Sequence, residues 1–151
     1  MVIGAFGSAM KRRMRGSIRI AVLLGTCMLT NCAPEAKDDV KTAQEEVDLF
    51  HKRWNNQYFT GVYNDAHSNF RAARSAQSII GMLQHNRNFF GAFKSAKQEN
   101  VNIGSENSSK AITFTYESAY EHGNAAETFT FWITAGKPLL AKYNMTPERK
   151  K

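Results

Sequence analysis

Cysteine is nearly absent: the 151 residues hold two, Cys27 and Cys32, both near the start of the chain. A disulfide framework is therefore excluded for everything downstream, and the folded part has to be held by an ordinary core. A membrane-spanning run is missing as well. The apolar stretch from Ile20 to Thr30, taken as a helix of about 11 residues, rises only about 16 Å against a hydrocarbon core of about 30 Å. No glycine-rich phosphate loop is present; Gly81 stands alone in a helical pattern. His51, His67, His85 and His122 fall in four different elements without ligand spacing, so neither a metal centre nor a cofactor is expected. No serine sits in a strand-to-helix elbow or beside an identifiable base. Acidic residues are missing from the beginning of the chain: all 13 follow Cys32, whereas five of the 20 Lys and Arg precede it. Loss of that leader takes the net charge from +7 to +2 (15 basic against 13 acidic side chains). The remaining segment has no basic stripe with interleaved aromatics, so nucleic acid is not expected as a partner.

What is present begins with an export signal. Lys11, Arg12, Arg13 and Arg15 form a positive region, Ile20 to Thr30 an apolar one, and small or polar residues follow. Met10 and Met14 each begin a more compact version of the same leader. Leu29-Thr30-Asn31-Cys32 resembles the lipobox of bacterial lipoproteins, with Leu29 and Thr30 in its first two places and Asn31 where that family has Gly, Ala or Ser. The resemblance implies a signal peptide over residues 1–31, lipidation of Cys32, and a membrane partner reached through that lipid. Acylation would also remove the lone thiol left after cleavage. A soluble secreted form and an uncleaved leader are the alternatives. Ala33 stands where an aspartate would resemble an inner-membrane retention signal, which implies the periplasmic face of an outer membrane in a two-membrane bacterium.

Residues 32–37 read as a lipidated cysteine and short tether, 38–146 as a single α+β domain, and 147–151 as a basic, frayed tail. Val40, Ala43, Val47, Phe50 and Trp54 recur at three- and four-residue steps, which predicts a helix from about Asp38 to Trp54. Phe59, Val62, Tyr63 and Ala66 mark a shorter helix ending in a polar turn at His67-Ser68-Asn69. A third runs from about Ser75 to Phe90, stopped by Gly91. The period then changes to two: Ile112, Phe114 and Tyr116 alternate with threonines, as do Phe129, Phe131 and Ile133 around Trp132. Turns at His122-Gly123-Asn124 and Ala135-Gly136-Lys137 separate these from a run over Leu139 to Met145. A weaker strand, Ala92 to Val101, precedes them, with Ile103 to Ser109 expected as a mobile loop. The expected fold is helices packed on one face of a four-strand antiparallel meander.

Gly61-Val62-Tyr63-Asn64-Asp65-Ala66 with Asn69-Phe70-Arg71, the Arg87 to Gly91 helix end, and Phe129-Thr130-Phe131 leading to Tyr143 and Met145 resemble the NTF2-like (cystatin-like) superfamily. The likeness is to its small bacterial lipoproteins of unknown function and spans about Val40 to Met145. It implies a sheet curled around helices to leave a cone, used as an enzyme pocket in some members and as a binding or dimer surface in others. Fold alone does not choose between them.

Asp65 and His67, with Tyr58 or Tyr63, are the residue types proton transfer uses, although residues two apart on a helix do not face each other. Asp48, His51 and Lys52 read as a helix-surface charge group. Trp54, Tyr63, Tyr116 and Trp132 are candidates for a pocket or interface, the more ordinary role of aromatics at these periods being core. Trp132 lies out of phase with Phe129 and Phe131, so it is expected to point outward as a dimer or partner surface. Asn107-Ser108-Ser109 and Asn144-Met145-Thr146 match glycosylation acceptors but read as turn residues. The favoured expectation is a non-catalytic, envelope-anchored domain that binds a protein partner, a second copy of itself or a small apolar ligand. The alternative is a periplasmic enzyme using Asp65, His67 and a tyrosine.

Overall fold

The computed structural model describes residues 33–148, with side chains from Lys37 onward. The leader with Cys27, the lipidation candidate Cys32 and the tail residues 149–151 lie outside the described residues. Helices α1 (Ala33–Asn55), α2 (Phe59–Asp65), α3 (Ser68–Ala72) and α4 (Ala76–Phe90) are followed by strands β1 (Phe93–Glu106), β2 (Ser109–Tyr120), β3 (Asn124–Thr134) and β4 (Lys137–Pro147). The strands form one unclosed antiparallel sheet in sequence order, with β1 and β4 at its edges. An α+β fold of helices followed by a four-strand meander is thus what the chain adopts.

α1 begins at Ala33, ahead of the Asp38 start that its apolar stripe predicts. Pro34 is tolerated in a first turn, where its missing N–H has no partner to lose. The stripe behaves as expected: Ala43, Val47, Phe50 and Trp54 are buried. The helix ends where Gln57 turns left-handed at φ 56° and the Tyr58 N–H returns to the Arg53 carbonyl at 2.9 Å. His67 to Asn69, expected as a plain turn, instead start α3, because the His67 ring nitrogen Nδ1 accepts the Asn69 N–H at 3.1 Å and caps it. Ser75 caps α4 through Ser78 N–H at 3.2 Å. Gly91 ends it at φ 80°, where a Cβ would lie 2.6 Å from that of Glu121.

The largest difference from expectation is β1. It continues through Ile103 to Glu106, and the expected loop shrinks to Asn107 and Ser108, with φ of 48° and 63°. Two positive φ values match the tight hairpin turn whose twist suits flanking strands, and the same device recurs at Ala135 and Gly136. One sheet face carries Ile112, Phe114, Tyr116, Phe129 and Phe131, all buried against the helices in a single core. Phe50 fixes the crossing of α1 over β3 and β4, its ring centroid 5.0 Å from that of Phe129 and 4.7 Å from that of Tyr143. Lys110 on β2 holds the start of α1 through Asp39 at 2.6 Å.

Trp132 does stand on the opposite sheet face, out of phase with Phe129 and Phe131, but it is not exposed. It is 3% accessible, grouped with Ala111 and Ala141 in a small second cluster. The Glu106 carboxylate accepts its indole N–H at 3.2 Å, and the His67 ring lies 4.9 Å away. Lys142 pairs with the same carboxylate and completes the cover. An open aromatic surface at Trp132 is therefore corrected to a capped one.

Candidate functional site

β4 carries a register shift opposite Thr130 and Phe131, so that Leu140 pairs with Phe131 and Lys142 with Thr130, leaving Ala141 between them. The bulge bends the strand. The segment between α2 and α3 ties to it through His67 N–H and the Leu140 carbonyl at 2.9 Å. Between this edge and the helices lies a groove of about 330 Å³ lined by Phe70, Ala73, Arg74, Ile79, Met82, Ala141, Lys142, Tyr143 and Asn144. Its helical wall is apolar because Ile79 and Met82 stand one turn apart on α4. Among the described residues Arg74 makes no ion pair, so its charge stays available at the rim.

Behind the groove is a buried polar cluster. Glu127 is fully buried, and its carboxylate takes His51 Nε2 at 2.9 Å on one oxygen and the Tyr143 hydroxyl at 2.7 Å on the other. The His51 ring stacks on Phe93, with centroids 3.7 Å apart and planes 6° from parallel. Burial alone would push the Glu127 carboxyl up, but the His51 hydrogen bond and charge, helped by the Tyr143 hydroxyl, hold it below its ordinary value. Burial first, and the Glu127 charge second, push the Tyr120 and Tyr143 phenols well above theirs. Among the described residues the Ser118 and Tyr120 hydroxyls are buried without a hydrogen-bond partner. Tyr143 belongs to both features: it lines the groove and its hydroxyl anchors the cluster.

His51 is thus a core residue, not the surface charge expected beside Asp48 and Lys52. Its place was readable, since position 51 stands four after Val47 and three before Trp54 on the buried stripe. Glu127, absent from the residues the sequence singles out, is two residues before Phe129 and so shares its inward phase.

The residues singled out from the sequence do not converge. Trp54 is buried and donates its indole N–H to the Gly91 carbonyl at 3.1 Å. Tyr116 is buried, its hydroxyl donating to Gln44 at 2.6 Å, and burial first lifts its phenol to about 12. Tyr63 is half-buried against the core. Asp65 is exposed and pairs with Arg53, while His67 faces Trp132; no hydrogen bond joins Asp65 to His67 among the described residues. Within the same residues, no three His, Cys, Asp or Glu side chains gather as metal ligands. The geometry the chain offers is therefore an apolar groove with a cationic rim, backed by a buried His51–Glu127 pair that Tyr143 links to the groove. No known family model matches this chain, and no curated protein matches it in sequence.

Proposed function

We propose that this chain is an exported lipoprotein, anchored through Cys32 at the periplasmic face of an outer membrane, whose domain has an NTF2-like organisation and binds without catalysing. The groove between α3, α4 and β4 carries this reading: about 330 Å³, an apolar wall of Phe70, Ile79 and Met82, and the free charge of Arg74 at its mouth. Small-molecule sites start near this volume and share this makeup, a mostly apolar lining with few polar groups. A small apolar ligand fits it better than a protein partner does. The anchor rests on the resemblance of Leu29 to Cys32 to a lipobox, and two or three acyl chains give the firm attachment that one alone does not.

The enzyme alternative draws no support from Asp65 and His67, which point to different neighbours. Native mass spectrometry of the full chain, extracted in detergent from its source membranes, tests the binding reading. A co-purified small-molecule mass that disappears in Met82→Arg supports it; a bare chain in both forms refutes it. Labelled palmitate tests the anchor: incorporation lost in Cys32→Ser is expected, and label retained in that variant refutes it.

A further inference from the structure

The free edge of β1 is the longest unpaired backbone in the described sheet, running from Phe93 to Glu106 with nearly every residue exposed. Natural edge strands are guarded by bulges and charges, because bare N–H and C=O groups recruit other strands. Here the guard is lopsided. Both register shifts, between Phe93 and Ser95 and between Gln98 and Asn100, lie in the first half, as do Lys94 and Lys97. Asn100-Val101-Asn102-Ile103-Gly104-Ser105 has no bulge, no charge and no proline. It also exposes Val101 and Ile103, at 38% and 48%, on the same face as their partners Phe114 and Ile112.

We infer that this segment pairs with the same segment of a second copy of the chain, antiparallel about a two-fold axis at Asn102, joining two four-strand sheets into one of eight. The segment is complementary to itself in that register. Val101 falls opposite Ile103 on the helix side, twice by symmetry, and Asn100 opposite Gly104 on the other side. Gln98 and Glu99 together oppose one residue, as they already do towards Tyr116 on β2. Counting past that bulge brings Lys97 opposite Glu106, so opposite charges meet at both ends of the pairing and like charges nowhere. Moving the axis to Val101 or Ile103 loses both the Val–Ile pairs and the charge match. The two-fold also keeps the helices of both copies on one side of the joined sheet, as an antiparallel junction requires. This surface is separate from the groove and stands whether or not the groove binds a ligand.

The axis gives a register-specific test in the full chain. Residues directly opposite in an antiparallel pair lie about 4.5–5.5 Å apart at Cα, within disulfide range. Asn102→Cys is therefore expected to form a reducible homodimer under mild oxidation. Asn100→Cys and Gly104→Cys, each about 13 Å from its own copy at the strand rise, are expected to cross-link only when mixed with each other. The unsubstituted chain, which carries Cys27 and Cys32, gives the background. Absence of the Asn102→Cys dimer, or equal cross-linking of all three variants, overturns the inference. So does an adduct with a different polypeptide in place of the homodimer. A second measurement needs no new thiol: in sedimentation the parent chain is expected to be a dimer and Val101→Lys/Ile103→Lys a folded monomer. A monomeric parent overturns the inference as well.

Discussion

Replacing His51 by alanine is expected to be among the most damaging single changes in the domain, for a reason visible in the Glu127 environment. The carboxylate has no access to solvent and is held by two contacts, His51 Nε2 at 2.9 Å and the Tyr143 hydroxyl at 2.7 Å. Removing the imidazole leaves a buried charge with one neutral donor. Breaking one side of a buried pair costs about 3–5 kcal/mol, chiefly through the partner left behind. Domains of this size have about 5–15 kcal/mol in total, so the variant would be near the edge of folding at 37 °C. The melting temperature is expected to fall by about 12–20 °C. The distinguishing variant is the double change His51→Ala/Glu127→Gln. If the stranded charge is the main cost, neutralising it recovers stability, and the double variant is more stable than His51→Ala alone. Urea denaturation followed by circular dichroism, with the four members of the cycle compared at equal m-value, reads the coupling. A loss below about 1 kcal/mol for His51→Ala, the range of an ordinary hydrogen bond, would refute the reasoning. So would a double variant no better than the single one.

Acid should act through the same group: because the folded Glu127 carboxyl is held below its ordinary value, its stabilisation is full above the unfolded glutamate range and lost as pH falls through the folded value. Wild type is therefore expected to lose stability below about pH 4.5, and Glu127→Gln to lack that component in denaturation curves taken at successive pH values. Gly91→Ala forces a side chain into φ 80° and against Glu121; a loss of about 1–3 kcal/mol is expected from thermal melts, and a neutral result would refute a left-handed, crowded end to α4. Trp132→Ala removes the filling of the outer-face cluster and frees Glu106, for an expected loss of about 3–5 kcal/mol and no change in sedimentation.

Elements that bury one face were legible, and elements that bury none were not. α1 announces itself through Val40, Ala43, Val47, Phe50 and Trp54, and β2 and β3 through alternation, because their partners lie on one side. β1 has no such pattern: it is exposed along almost its whole length and held by its pairing to β2, so its second half reads as loop. Trp132 shows the same limit at the level of a site. Its phase gives the correct face, but its cover comes from Glu106, Lys142 and His67 on three separate segments, which no local window joins. The groove was hidden for that reason too, since α3, α4 and β4 contribute its walls. The polar cluster was hidden by residue type rather than distance, as histidine and glutamate on an apolar phase are ordinarily taken for surface.

The chain's two tryptophans lie on opposite faces of the sheet, Trp54 in the helix-side core against Gly91 and Trp132 outside under Glu106. Intrinsic fluorescence is therefore a two-channel signal. With Trp54 replaced by phenylalanine, emission reports on the link between the α2–α3 segment and β4, where the groove opens. With Trp132 replaced instead, it reports on the core. A ligand entering between α3, α4 and β4 would then change the colour of one channel and leave the other dark to it.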